Sequence, residues 1–282
     1  MYEILEKHVL TPITKLFRVK AALIARAACP GQFIILRVHE AGERIPLTIA
    51  DYDPEAGTIT IVVQEVGATT RQLGALEEGD AILDLVGPLG NPIDIPAGGH
   101  IVGVGGGFGA AALLCFMRSV TLRGDPTTTI IGARNKDLLL LTDELRMASR
   151  NLEICTDDGS TGFKGFVTER LKQMIDGDQP GRPDYVVAIG PMPMMRAVAE
   201  TTREPEIPTL VSMDPIMVDG TGMCGGCRVS IGDTLKFACV DGPCFDAHQV
   251  NFDEAIRRTK TYVAEEEIAR KQLETEGVKH AS

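Results

Sequence analysis

The chain has 282 residues, 44% of them hydrophobic and 24% charged, and carries a formal net charge of −11 at pH 7. That charge repels a phosphate backbone, and with no tryptophan and only 5% aromatic residues there is no surface for stacking bases, so nucleic acid is excluded as a partner. No apolar run reaches the length of a membrane span, the start MYEILEKHVL has no apolar leader core, and seven cysteines with three in one motif do not make a disulfide framework, so a cytoplasmic chain of two or three compact units is expected.

Residues 1–96 read as short β-rich runs, Leu16–Ala21, Phe33–Val38, Thr58–Val63 and Ala81–Val86, separated by Gly, Pro and acidic turns. Strands in succession without helices predict a small antiparallel β-barrel. Pro96-Ala-Gly-Gly99 reads as a linker, and residues 97–212 change rhythm. Strands are expected at Ile101–Val104, Thr128–Gly132, Leu152–Thr156, Tyr185–Gly190 and Thr209–Met213. Helices are expected at Ala110–Val120, from Leu138–Leu145, and at Phe166–Ile175 and Met194–Thr202. Such alternation predicts a parallel, doubly wound, Rossmann-like sheet. Residues 213–250 form a third, small unit, with a hairpin of Arg228–Ile231 and Lys236–Cys239 turning at Gly232-Asp233. Residues 251–282 read as a charged amphipathic helix with Ile256, Val263 and Ile268 on one side, ending in a frayed tail from Gly277 to Ser282.

The third unit carries the most specific signal. Asp219-Gly-Thr-Gly-Met-Cys224-Gly-Gly-Cys227 is followed, eleven residues on, by Cys239. With Asp219 in place of the first cysteine, this is the C-x4-C-x2-C…C spacing of a plant-type [2Fe–2S] loop. Wrapping a small inorganic cluster demands unusual backbone angles and close amide approach, which the interspersed glycines supply. Three thiolates and one carboxylate complete four ligands. The alternatives are half a zinc site or a redox pair, with Cys244 or His248 as further ligands. Cys244 also competes with Asp219 for the fourth position, which the spacing gives to Asp219. Cys29, Cys115 and Cys155 stand alone in apolar contexts and are expected to be packed core thiols.

Val104-Gly-Gly-Gly-Phe-Gly-Ala110 follows a strand and opens a helix, so Gly105, Gly106, Gly107 and Gly109 let the backbone approach a pyrophosphate at a helix N-terminus. The next strand ends in Arg134 and Lys136, which leaves a 2′-hydroxyl and a 2′-phosphate both open. The loops containing Asp157, and Gly190 with Pro191, follow strand ends where parallel sheets bind ligands. In the first unit Arg44 precedes Pro46, Leu47 and Thr48, and Gly67, Thr69 and Thr70 lie further on; an arginine holds a diphosphate and hydroxyls hold a flavin ring or ribityl chain, though composition alone makes these turns.

Taken in order, R-x-P-L-T, G-P-L-G-N, G-G-G-x-G, I-G-P-M-P and the cysteine loop resemble the ferredoxin–NADP reductase superfamily. Within it the chain is similar to the small electron-transfer subunits of dihydroorotate dehydrogenase, of sulfide dehydrogenase and of NADH-dependent reduced ferredoxin:NADP⁺ oxidoreductase. The likeness covers nearly the whole chain and is most specific over Met213–Arg228 and Phe237–Pro243. It implies FAD on the barrel, with Arg44, Gly67, Thr69 and Thr70 near the phosphates and Pro46, Leu47 and Thr48 along the ring and ribityl. It implies NAD(H) on Gly105–Gly109 and Gly190–Pro191, and a [2Fe–2S] cluster on Asp219, Cys224, Cys227 and Cys239. It implies no side-chain acid or base for hydride transfer. The family's reaction is flavin-based electron bifurcation, with a larger flavin and [4Fe–4S] subunit as heterodimer partner, through which ferredoxin is reached. One departure stands out. Where the family carries an acid after Asp-Gly-Pro, this chain has Cys244, which leaves a ligand swap or a spare thiol open.

Overall fold

The computed structural model describes residues 1–177 and 181–276, with side chains to residue 272. The expected frayed tail from Gly277 lies outside the described residues. Two seven-stranded sheets and one hairpin carry the architecture.

The first sheet contains β1 (Tyr2–Thr11), β2 (Thr14–Lys20), β3 (Phe33–Arg37), β4 (Arg44–Asp53), β5 (Thr58–Gln64), β6 (Ala81–Ile82) and β7 (Asp84–Leu89). Its order is β6-β1-β2-β5-β4-β3-β7, antiparallel throughout. The two edge strands are neighbours in sequence, separated only by Leu83, so the sheet curls until its edges nearly meet. That curl is the expected barrel. Its inside is filled by Phe17, Val19, Ile34, Leu36, Ile49, Ile59 and Ile61. Alternation along β2 and β5 explains this, because successive side chains point to opposite faces. The barrel also holds two short helices that the strand-only reading missed, α1 (Ala22–Ala27) and α2 (Ala68–Gly74).

The second sheet contains β8 (Ile101–Gly106), β9 (Thr127–Ala133), β10 (Asn151–Thr156), β11 (Phe163–Lys164), β12 (Tyr185–Ile189), β13 (Thr209–Ser212) and β16 (Cys244–Asp246). Its order is β11-β10-β9-β8-β12-β13-β16, parallel except for β16. The helices are α3 (Gly109–Leu122), α4 (Thr142–Ala148), α5 (Val167–Asp176) and α6 (Met192–Arg203). The chain moves outward from β8 through β9 to β10, then returns to β12 on the other side. The switch point therefore lies between β8 and β12, where a parallel sheet opens a crevice for ligands. The helix expected from Leu138 starts later, because only a short 3-10 turn at Lys136–Leu138 precedes α4.

The third unit folds back onto both sheets. β14 (Arg228–Ile231) and β15 (Thr234–Phe237) form the expected hairpin, but the second strand stops early. Cys239 lies in the one-turn helix α7 (Ala238–Asp241), and the chain then supplies edge strand β16. The single terminal helix is instead two, α8 (Phe252–Arg258) and α9 (Val263–Glu276). Phe252 and Ala255 bury α8, whereas Val263 and Ile268 are exposed. Cys115 and Cys155 are buried as expected, but Cys29 is exposed, since it follows α1 at the barrel surface. No helix among the described residues is long and apolar enough to cross a membrane.

A shared core joins the units. Ala50 and Val62 of the barrel pack with Ala110, Leu113, Leu114 and Met117 of α3, and the outward faces of Leu10 and Leu16 lie against the same group. Phe33 and Ile35 of β3 pack with Met213, Met217, Cys227, Cys239 and Phe245.

Candidate cofactor cleft and cluster loop

One cleft of about 700 Å³ runs between the two sheets. On the barrel side it is lined by Phe33, by Pro46, Leu47 and Thr48 of β4, and by Thr11, Thr14 and Gln64. On the sheet side stand Gly106, Gly107, Phe108, Gly109, Arg134, Asp157, Gly190 and Pro191. Its remaining wall comes from the third unit, through Met213, Asp214, Met217 and Pro243. The structure thus brings nine of the expected residues to one cleft: Pro46, Leu47, Thr48, Gly106, Gly107, Gly109, Asp157, Gly190 and Pro191.

The glycine turn after β8 is built for close approach. Gly107 has φ +52, the left-handed region that glycine favours, and its N–H donates to the Gly132 carbonyl at 2.8 Å. A Cβ on Gly109 would lie 2.0 Å from the Ile189 carbonyl oxygen, so only glycine lets the loop after β12 reach the start of α3. Arg134 and Asp157 directly follow the neighbouring strands β9 and β10 and both line the cleft, so a cation and an acid stand at adjacent strand ends.

The other expected residues are placed differently. Gly105 is buried within β8, and Arg44 begins β4 exposed to solvent. Thr69 is buried and donates to the Glu43 carboxylate at 2.7 Å. The Thr70 hydroxyl accepts the N–H groups of Val66 and Gly67 at 3.1 and 2.9 Å. Both hydroxyls are therefore engaged within the protein, and none of Arg44, Gly67, Thr69 and Thr70 lines the cleft.

Sequence reading missed a polar row on the barrel wall. Thr11 pairs with Thr14 across β1 and β2, and Thr14 pairs with Gln64 across β2 and β5. Directly opposed residues share a face, so the three form one line. The next pair, Leu16 with Val62, packs on α3. The face turns from apolar to polar just where it passes the start of α3. Thr11 is 5% exposed and its hydroxyl has no hydrogen-bond partner among the described residues; Thr14 is 2% exposed and makes no side-chain hydrogen bond there either. Buried polar groups normally find partners, so unpartnered hydroxyls beside an apolar ring-sized wall fit a polar ligand in the cleft. The signal was the break in alternation at Thr14, where an apolar residue would continue the core.

Asp214 was also missed. It lines the cleft mouth with its side chain exposed, and the protein crowded around it still pushes its carboxyl up, to about 6, a shift that the open side tempers.

The cluster loop follows. Gly220 has φ +74, and a Cβ there would meet Leu89 at 2.7 Å and Ile35 at 2.8 Å, so the loop sits tightly on β3 and β7. Four donors come together in two pairs. Asp219 Oδ1 and Oδ2 accept the N–H groups of Thr221 and Cys224 at 2.9 and 2.8 Å, which hold its carboxyl below the usual carboxylate range. Cys224 is exposed, and its sulfur accepts the Gly226 N–H at 3.4 Å. Cys227 and Cys239 are buried with their sulfurs 3.2 Å apart, and burial followed by the Cys227 contact pushes the Cys239 thiol up to about 12. Among the described residues no three of these donors converge on a single point, as one metal ion would require. Two pairs along a glycine-rich loop suit a two-metal cluster better than a single zinc. Cys244 is set apart. It lies opposite Ser212 at the sheet edge, where burial pushes its thiol up to about 12 and the Ser212 contact opposes the shift.

An antiparallel barrel followed by a doubly wound sheet, with a glycine turn at the switch point and a cysteine loop against both, defines a flavin- and nicotinamide-type reductase fold carrying an iron–sulfur-type module. The comparisons agree. The family model for the iron–sulfur cluster binding domain of dihydroorotate dehydrogenase B matches residues 214–251. The chain is 45% identical over 253 residues to the dihydroorotate dehydrogenase B (NAD⁺) electron transfer subunit homolog of Thermotoga maritima, covering 90% of this chain and 88% of that one. It belongs to this family of electron-transfer subunits. A solved structure of NADH-dependent reduced ferredoxin–NADP oxidoreductase, described for flavin-based electron bifurcation, superposes with TM-score 0.91 at 42% identity, over 97% of this chain and 98% of that one. A ferredoxin NADP⁺ reductase from Neisseria gonorrhoeae with bound FAD and NADP shares the fold, with TM-score 0.59 at 19% identity over 72% of this chain and 90% of that one.

Proposed function

We propose that the chain is the FAD- and [2Fe–2S]-containing electron-transfer subunit of a two-subunit oxidoreductase, exchanging hydride with NAD(H). The observation that carries this is a single cleft walled by all three units: the Pro46–Thr48 strand, the Gly106–Gly109 turn with Gly190 and Pro191, and the segment leading into the cysteine loop. FAD is the group that exchanges hydride with nicotinamide and single electrons with a cluster.

The side chains then have distinct tasks. Pro46 and Leu47 offer an apolar wall to a flavin ring, and Thr48 a hydroxyl to its polar edge. Gly107 and Gly109 bring backbone N–H groups and the start of α3 to a pyrophosphate. Met213, Met217 and Phe33 keep water from the side nearest the cysteine loop, while Asp219, Cys224, Cys227 and Cys239 hold the cluster. No side-chain acid or base is required, because positioning is the protein's contribution. Arg44, Gly67, Thr69 and Thr70 act outside the cleft proper, at the barrel end nearest α2, as support for the FAD phosphates.

The finer reading is the small subunit of an electron-bifurcating NADH-dependent reduced ferredoxin:NADP⁺ oxidoreductase. Its larger partner would carry a second flavin and the [4Fe–4S] clusters that reach ferredoxin. The 42% identity and full-length match to that enzyme's structure support it. So does the placement of the cysteines, since the four outside the loop, Cys29, Cys115, Cys155 and Cys244, do not gather into a [4Fe–4S] site among the described residues. The second reading, a subunit of a dihydroorotate or sulfide dehydrogenase, is favoured by the family match over residues 214–251. Co-purification of the native complex, with the partner tested for NADPH- or dihydroorotate-dependent reduction of this chain's flavin, separates the two.

The test of the core reading is a visible spectrum with iron analysis of anaerobically purified protein. One flavin and about two irons per chain, bleached by NADH, are expected. Cys239→Ser should lose the iron and Cys244→Ser should keep it. Zinc without flavin would overturn the reading, and iron loss in Cys244→Ser alone would move the fourth ligand from Asp219 to Cys244.

A further inference from the structure

Arg258 ends α8 and leans over the cysteine loop. Its Nη2 donates to the Gly226 carbonyl oxygen at 3.2 Å, and Gly226 lies between Cys224 and Cys227. Its Nε–H is buried and has no hydrogen-bond partner among the described residues. No carboxylate there forms an ion pair with it; the acid one turn back on the same helix, Glu254, accepts from the Ser230 hydroxyl at 2.6 Å instead. A partly buried cation with an unsatisfied donor and no counter-ion is costly. Yet the fold holds it directly against the loop that supplies the cluster ligands.

We propose that Arg258 is a positioning residue for the cluster, its guanidinium serving as counter-charge to an anionic iron–sulfur centre and its Nε–H as a donor toward the ligand sulfurs. The inference rests on the cluster reading above. Three thiolates and a carboxylate around a [2Fe–2S]²⁺ core give a net charge of −2, and one-electron reduction takes it to −3. A fixed cation stabilises the more negative form more strongly, so Arg258 raises the reduction potential. The rival role is mechanical, a brace on the Gly226 carbonyl with no electrostatic part.

The experiment is an electron-paramagnetic-resonance redox titration of the full-length, anaerobically purified protein, reduced stepwise with dithionite. Arg258→Met, Arg258→Gln and Arg258→Lys are compared with the wild type, with iron counted in each. The neutral variants should keep their iron and become about tenfold harder to reduce, a shift of about 59 mV to lower potential for one electron. Arg258→Lys should stay near the wild type. If the neutral variants lose iron while the lysine variant keeps it, the charge is again what matters. An unchanged midpoint in iron-replete neutral variants overturns the proposal, and so does iron loss in the lysine variant as well, which marks a mechanical brace. Wild-type protein without iron fails earlier, and sinks the cluster reading itself.

Discussion

Single atoms decide the nucleotide turn. A methyl on Gly109 would have to displace the Ile189 carbonyl, which is backbone and cannot rotate away. Gly109→Ala is expected to cost about 1–3 kcal/mol, a few degrees in melting temperature for a chain of this size, and to weaken NAD⁺ binding in a titration. Asp214 gives a second test at this scale. The protein crowded around it raises its carboxyl from 3.8 to about 6, so between those values the folded chain holds a proton that the unfolded chain releases. Stability attributable to Asp214 therefore falls as pH rises through that window and is fully lost above it. Asp214→Asn has no such charge. Urea melts should show it gaining on the wild type at about pH 7.5 and not at about pH 3.5; an equal difference at both would sink the idea. Both residues also show what a sequence displays. The glycine turn stood out because glycine clusters have few other causes. Asp214 did not, because its place at the cleft mouth exists only once the third unit is packed against the sheets.

Elements were legible where their period was regular and flanked by turns. β8 and β12 are near-continuous runs of apolar residues and glycine, β9 is rich in β-branched Thr and Ile, and β10 alternates polar residues with Leu152 and Ile154; each ends in a loop, so the doubly wound sheet could be predicted. β1 and β4 escaped, because both mix charged and apolar residues and β4 carries Pro46. The edge strand β16 escaped because three residues carry no period at all. Cys239 landed in a helical turn for a similar reason: Ala238 to Asp241 has no signature until Gly242 stops it. At this scale the polar row on β1, β2 and β5 makes a prediction. It lines the cleft together with the start of α3, so a dinucleotide held by the glycine turn is the partner expected for it. Thr14→Val keeps the shape and removes the hydroxyl. The dissociation constant for NAD⁺ should rise about fivefold to tenfold, as loss of one ordinary hydrogen bond of about 1 kcal/mol implies, with flavin content unchanged. Flavin loss with unaltered NAD⁺ affinity would assign the row to the ring instead.

At the scale of the molecule, the barrel and the parallel sheet are joined by apolar packing on α3 and, among the described residues, by the ion pair of Arg118 with Asp51. Arg118 of α3 donates from Nη1 to Asp51 Oδ2 of β4 at 2.7 Å, and its Nη2 meets the other oxygen. The arginine side chain is 40% exposed, so solvent screens the pair. Arg118→Ala should cost no more than about 1 kcal/mol in a thermal melt, because Leu16, Val62 and Ala50 remain packed on the helix. A much larger loss would show the pair, not the core, holds the halves together. The order of units along the chain was legible, but the third unit's return to the barrel was not. It depends on contacts such as Asn91 Nδ2 to the Val240 carbonyl, 149 residues apart, which no local pattern announces.

That return has a consequence for how the protein is made. Asn91 also donates to the Gly242 carbonyl at 2.6 Å, and Gly90 is pressed by Pro243, so the barrel's last turn is finished by residues near the other end of the chain. On the ribosome the barrel strands and then the six parallel strands of the second sheet emerge while its edge strand β16 and one wall of the shared cleft are still untranslated. The cofactor pocket closes only when the segment that carries the cysteine loop arrives. Synthesis thereby sets an order of loading, in which a chain interrupted after residue 212 lacks both the edge strand β16 and the wall that closes the cleft over the flavin.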